Sequence, residues 1–204
     1  PKGWLNSDQF QVPWFFLCGK GEGKTRNFPF LARLSENSFP NMSQTLRDQI
    51  LTWMKTYVYR FSEKSFLLAS GKESQHYFNC KEITLHPERL AALTDCFVEE
   101  LIPRLPGNFD SLGGLTLGAD PLTYALSLAY QKRGRIVFPL VVRKEAKGHG
   151  TGQQIEGFWK EVKQCLVIDD VITTGGSTIK AVNALRAAGI EVTKGICILD
   201  REEG

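Results

Sequence analysis

The chain has 204 residues, 42% of them hydrophobic and 23% charged, which suits one globular domain with a substantial core and excludes a wholly disordered chain. Its net charge of +3 is too small to argue for a nucleic-acid partner, and no apolar run approaches the ~20 residues that a membrane-spanning helix needs. The five cysteines, Cys18, Cys80, Cys96, Cys165 and Cys197, are scattered and mostly set in apolar runs, so they read as reduced core residues of a cytoplasmic protein rather than as disulfides or zinc ligands.

Residues 1–40 are aromatic and glycine-rich, with Trp4, Trp14, Phe15, Phe16, Gly19, Gly21 and Gly23 but no sustained period and no signal-peptide pattern. Met42 and Ser43 then open a clean helical pattern. Residues 1–41 are therefore expected to be a flexible extension ahead of a native start, with the domain over 42–204. Leu46, Ile50, Trp53, Met54 and Tyr57 recur at helical spacing behind Ser43 as N-cap. Two short strands, 65–69 and 76–80, flank the polar loop 70–75 and make a hairpin, a small N-terminal hood. Pro87 starts a second helix through Leu90, Leu93, Phe97, Val98 and Leu101, which Pro103 ends.

Beyond it the alternation is regular: strand 112–117, helix 122–131, strand 136–142, strand 162–168, helix 178–188 and strand 192–199, with Gly134 and Gly189 at helix stops. This predicts an α/β fold, an open and mainly parallel sheet with helices on both faces, and such sheets bind ligands at the carboxyl ends of their strands. The sequence ends at Asp200-Arg201-Glu202-Glu203-Gly204, directly after a strand, so a C-terminal truncation is expected.

The stretch 165–177, CLVIDDVITTGGS, concentrates the chemistry. Cys165 to Ile168 read as a strand buried on both faces, and Asp169 and Asp170 follow where that strand should stop. Thr173, Thr174, Gly175, Gly176 and Ser177 are small, hydroxylated or free of a Cβ, and a helical pattern succeeds them. A helix start reached through such a loop is an anion site, because its unpaired N–H groups and the helix dipole both favour phosphate. Two carboxylates would repel a bare phosphate, yet they suit vicinal sugar hydroxyls or water on a magnesium ion. Neither G-x-G-x-x-G nor G-K-[ST] is present.

All thirteen positions resemble the phosphoribosyl-pyrophosphate motif of type I phosphoribosyltransferases. Upstream, Arg143-Lys144-Glu145-Ala146-Lys147-Gly148-His149-Gly150 places three cations and a histidine in a glycine-rich loop, a charged flap that resembles the catalytic loop of orotate phosphoribosyltransferases. Ser70-Gly71 with Tyr77-Phe78-Asn79 is similar to the orotate-side segment of that family, and Arg201 matches an arginine that approaches the substrate carboxylate.

The resemblance implies transfer of ribose 5-phosphate from phosphoribosyl pyrophosphate to orotate, giving orotidine 5′-monophosphate and pyrophosphate. It assigns Arg143, Lys144, Lys147 and His149 to the pyrophosphate, with Arg143, Lys147 and His149 catalytic. Asp169 and Asp170 would hold ribose hydroxyls and Thr173, Thr174, Gly175, Gly176 and Ser177 the 5′-phosphate, with Val171 and Ile172 also on phosphoribosyl pyrophosphate, and Tyr77, Phe78, Thr173 and Arg201 orotate. Magnesium would be held mainly through the substrate and water, with Asp169 and Asp170 nearby. Members are homodimers whose flap serves the neighbouring site, and no nucleic-acid or membrane partner is implied.

Two departures stand out. Many members have a lysine where this chain has Ala69, and a Tyr-Lys pair where it has Gly118-Ala119-Asp120-Pro121. The missing charge is expected from Arg143, Lys144 and Lys147. The rival readings are a purine or uracil phosphoribosyltransferase, which should lack the flap signature, and a ligand-sensing regulator on the same fold, which needs a nucleic-acid-binding surface that residues 1–40 do not offer.

Overall fold

The computed structural model describes residues 44–67, 71, 73–105, 107–145 and 153–201. The expected extension over 1–41, the Ala69-Ser70 step, the flap residues Lys147 and His149, and the chain after Arg201 lie outside the described residues.

Helix α1 (Gln44–Trp53) continues into a π-helical turn, Met54–Val58. Ile50, Met54 and Val58, spaced four apart, are buried as one stripe. Tyr57 lies off that stripe, 40% exposed, with the Arg89 guanidinium 3.6 Å over its ring. The hood is an antiparallel hairpin of β1 (Tyr59–Leu67) and β2 (Glu73–Phe78). β1 begins at Tyr59 rather than Ser65, because Tyr59 packs across the ladder on His76 and Phe78 at 5.8 and 5.2 Å, and Phe61 on His76 at 5.5 Å. A short helix follows, α2 (Lys81–Thr84), which four residues are too few to announce by periodicity. α3 (Pro87–Cys96) starts on its proline as expected and winds down through Phe97–Leu101 and a 3₁₀ turn, Ile102–Arg104, that contains Pro103.

The main sheet comprises β3 (Ser111–Leu115), β4 (Phe138–Val142), β5 (Ile155–Glu156), β6 (Gln164–Ile172) and β7 (Glu191–Asp200), in the order β5-β4-β3-β6-β7. Every neighbouring pair is parallel except β4 with the short edge strand β5. Helix α4 (Asp120–Lys132) joins β3 to β4, and α5 (Gly176–Ala187) joins β6 to β7. Alternation along β6 divides the core. Leu166 and Ile168 pack with Leu93, Leu122 and Leu126 on one face, while Cys165 and Val167 pack with Val182 and Leu185 on the other. The predicted open sheet with helices on both faces is therefore the observed one.

β6 does not stop at the acidic pair. It runs on to Ile172, because Asp169, Val171 and Ile172 still pair with Cys197, Leu199 and Asp200 of β7. Cys80, Cys96, Cys165 and Cys197 are buried free thiols. Burial pushes Cys96 and Cys165 up to about 12, so both stay protonated packing groups. None of the described helices is long and apolar enough to cross a membrane.

The topology positions the site. From β3 the chain moves outward to β4, and from β6 it moves the opposite way to β7, so the order reverses between β3 and β6. The β3–β6 ladder ends at Gly113 and Val167, and the loops 116–119 and 173–175 diverge beyond it. A crevice at such a reversal is where open α/β sheets take their ligands.

Candidate active site

Gly175 takes φ +76°, a left-handed conformation that a side chain disfavours, and its carbonyl accepts from Ile179 N at 2.8 Å to close the first turn of α5. The N–H groups just ahead have no partner within the helix and face the end of β6. Ile172, Thr173, Thr174, Gly175, Gly176 and Ser177 line a hollow of about 200 Å³ here, with Lys180 on its rim. Small side chains, a helix N-terminus and a nearby ammonium make it fit for a phosphate monoester.

The two aspartates differ. Asp169 is 5% exposed, and its carboxylate accepts from Thr178 Oγ1 at 2.5 Å and from the Asp170 backbone N–H at 3.0 Å. Burial raises it from 3.8 to about 7; the Thr178 hydrogen bond opposes the rise and the neighbouring Asp170 charge adds to it. Asp170, half-buried, accepts from Val171 N at 2.9 Å and lines a second cavity of about 490 Å³ between the 116–118 loop, Lys81 of α2 and the end of β6. The expectation that the strand stops at the acidic pair thus needs correcting: because it continues, alternation buries Asp169, which still borders both cavities, and leaves Asp170 more open at the crevice.

Gly118 forms the opposite wall. A Cβ there would stand 2.5 Å from Asp170 Oδ1, so the loop can lie against the carboxylate only without a side chain. Thr116 donates to Asp120 Oδ2 at 2.6 Å and secures that loop to the first turn of α4.

Arg201 lies where β7 ends, 7% exposed, with its N–H on Ile172 O at 2.8 Å. Its Nη2 donates to Ser74 Oγ of the hood at 3.1 Å, and its Cζ stands 5.5 Å from the centre of the Phe78 ring. Phe78 is 9% exposed, packed inward on Tyr59, whereas Tyr77, its neighbour along β2, points to the other face, 38% exposed and against Phe66. Thr173 is half-buried beside the phosphate hollow. Arg201 and Phe78 therefore stand together, with Thr173 one residue beyond the Ile172 carbonyl that Arg201 N meets, while the Tyr77 ring points away from Phe78.

The flap leaves the sheet between β4 and β5 and is pinched at its base. Arg143 N donates to Gln154 O at 2.8 Å, and Gln154 Nε2 returns to Arg143 O at 3.0 Å. The Arg143 guanidinium stands 3.5 Å from Glu156, while Lys144 lines the larger cavity. Three features are not expected from the sequence: Ser74, whose link to Arg201 spans 127 positions; the bond from Thr178, one of the small hydroxylated residues of the loop, to Asp169; and Lys81, which lines the larger cavity from α2. Only Thr178 carried a usable signal, as a hydroxyl in the first turn of a helix that follows an acidic strand.

Compared with models of protein families, the chain matches none. It is 74% identical over 163 residues to an orotate phosphoribosyltransferase of Leptospira biflexa, an alignment covering 80% of this chain and 88% of that one. With the orotate phosphoribosyltransferase of a Nostoc species it shares 42% identity over 161 residues, 78% of this chain and 75% of the other. Among solved structures, the orotate phosphoribosyltransferase of Mycobacterium tuberculosis in complex with Fe(III) dicitrate superposes with a TM-score of 0.63 at 34% identity, covering 78% and 86% of the two chains. The same enzyme in complex with phosphoribosyl pyrophosphate gives 0.58 at 31% identity, covering 78% and 85%. With these likenesses over most of its length, and a phosphate hollow, an acidic crevice and a buried arginine at one sheet reversal, the chain belongs to the orotate phosphoribosyltransferase family and is a transferase of pyrimidine biosynthesis.

Proposed function

We propose that the crevice binds phosphoribosyl pyrophosphate with its 5′-phosphate in the hollow at the start of α5, its ribose hydroxyls on Asp170 with Asp169 behind it, and its pyrophosphate in the larger cavity. Orotate then lies between the hood and Arg201, whose planar guanidinium suits a carboxylate. The observation that carries this reading is Arg201 itself, a buried guanidinium held by Ser74 and beside Phe78, next to the phosphate loop. An arginine is buried at a ligand site when an anion is to meet it.

The bond from C1 of the ribose to the pyrophosphate oxygen breaks as the bond from orotate N1 to C1 forms, and the proton of N1 is released to solvent or to the departing pyrophosphate. The sugar passes through a cation-like state while negative charge grows on the departing group. Arg143, Lys144, Lys147 and His149 are the flap groups proposed to offset that charge, with His149 able to pass a proton to the leaving oxygen. A closed flap keeps water from the sugar cation.

The donor set fits magnesium. Asp170 brings an oxygen ligand to the crevice, and among the described residues no group of three or more His, Cys, Asp or Glu side chains converges as a protein cage would. An ion carried mostly by water and phosphate oxygens, as magnesium prefers, matches that surface. When bound, it supplies positive charge to the pyrophosphate. A cytoplasmic homodimer completes the proposal; exposed Leu85, Tyr124 and Leu128, on and beside α3 and α4, support self-association.

The test is base choice. Specificity constants for orotate and uracil should differ by about 10⁴-fold, because uracil lacks the carboxylate that would accept from the Arg201 guanidinium. Comparable constants would refute the placement of orotate against Arg201.

A further inference from the structure

The larger cavity sets two ammonium groups, Lys81 and Lys144, among Thr116, Gly118, Asp170 and Ser177. Neither lysine forms an ion pair among the described residues, although carboxylates stand close by on both elements. Glu82, next to Lys81, is engaged instead by Asn79 Nδ2 at 3.2 Å and lies 3.7 Å from Arg60. The two lysines are anchored differently. Lys144 stands at the start of the flap, next to Arg143. Lys81 opens α2 directly after buried Cys80, on a backbone pinned by the hydrogen bond from Asn79 N to Val58 O at 2.9 Å. The loop facing it, 116–119, contributes no cation.

We propose that Lys81 is a pyrophosphate-binding residue, a fixed cation that holds the diphosphate of phosphoribosyl pyrophosphate in this cavity. The proposal rests on the ribose being held at Asp170 as above. A static cation is also a physical answer to a loop whose Gly118 must stay bare to admit the Asp170 carboxylate.

The test uses the full chain and inorganic pyrophosphate as the probe, with orotidine 5′-monophosphate as co-substrate in the reverse reaction. Lys81→Ala should raise KM for pyrophosphate about tenfold or more, the loss of one charged hydrogen bond, and KM for phosphoribosyl pyrophosphate alike. The constants for orotate and orotidine 5′-monophosphate should stay within about twofold, and Lys81→Arg should restore most of the loss. A purely structural role would move the thermal midpoint and all four constants together, which overturns the proposal. Asp170→Asn run in parallel separates the two levels: if it weakens phosphoribosyl pyrophosphate while Lys81→Ala does not, Lys81 alone is misassigned. If Asp170→Asn has no effect, the ribose placement fails and the proposal fails with it.

Discussion

Thr178 donates its hydroxyl to Asp169 Oδ2 at 2.5 Å, tying the first turn of α5 to the strand that precedes it. The phosphate loop is thus a short bridge between two elements fastened to each other, which keeps its backbone N–H groups aimed in advance of the ligand. The same bond is made to a carboxyl group that burial has raised from 3.8 to about 7.

That shift has a direct consequence for stability. The folded state binds the Asp169 proton more tightly than the unfolded chain does, so its contribution is fully present below about pH 4 and is lost as pH rises through about 7. At about 1.4 kcal/mol per tenfold change in proton affinity, the span amounts to about 4 kcal/mol. Asp169→Asn keeps an oxygen for Thr178 without the charge. Its thermal midpoint should overtake wild type progressively from pH 4 to 7 and hold a constant lead above, as read by differential scanning calorimetry. Parallel pH profiles for the two proteins would show Asp169 to be solvated.

Ser74 is expected to act through Arg201. Ser74→Ala removes one acceptor from the guanidinium and should raise KM for orotate about fivefold, leaving KM for phosphoribosyl pyrophosphate within about twofold. Arg201→Lys loses the forked geometry and should cost more than about tenfold for orotate. Steady-state kinetics with each substrate varied in turn decides the matter; equal effects on both substrates would mean that Arg201 sets the general shape of the site instead.

The flap is proposed to serve the neighbouring subunit, since it hangs from the exposed edge formed by β4 and β5 with its ends pinned together. A Lys147→Ala chain and an Asp170→Asn chain, each nearly inactive, can be mixed and re-associated. If the flap acts across a two-fold interface, half of the random dimers are mixed and each has one intact site, so activity should recover to about a quarter of wild type. No recovery in mixed dimers verified by mass spectrometry would place the flap over its own site.

Residues 1–41 carry no helical or strand period, and their deletion is expected to shift neither the thermal midpoint by more than about 2 °C nor either KM by more than about twofold. Calorimetry and kinetics on the shortened chain provide the check. A fall of many degrees would show the aromatic side chains of this segment to be part of the core.

What the sequence determined by itself was everything carried by neighbours along the chain. The hollow at the start of α5 is lined by one strand end, one loop and one helix start whose residues are mostly consecutive, so local chemistry was enough to expect an anion site there. The alternation of elements was likewise enough for an open, mainly parallel sheet. Tertiary structure decided what depends on partners far away. Pairing with β7 carried β6 past its acidic pair, and that extension made one aspartate a buried acceptor and the other an accessible one. Cross-strand ring contacts lengthened the hood, and the same pleat turned Tyr77 away from Phe78. Packing between the hood segment and the sheet brought Ser74 to Arg201 and Lys81 to the larger cavity. No period or motif in a single chain records such a contact, because its energy depends on the distance between elements that the sequence lists far apart.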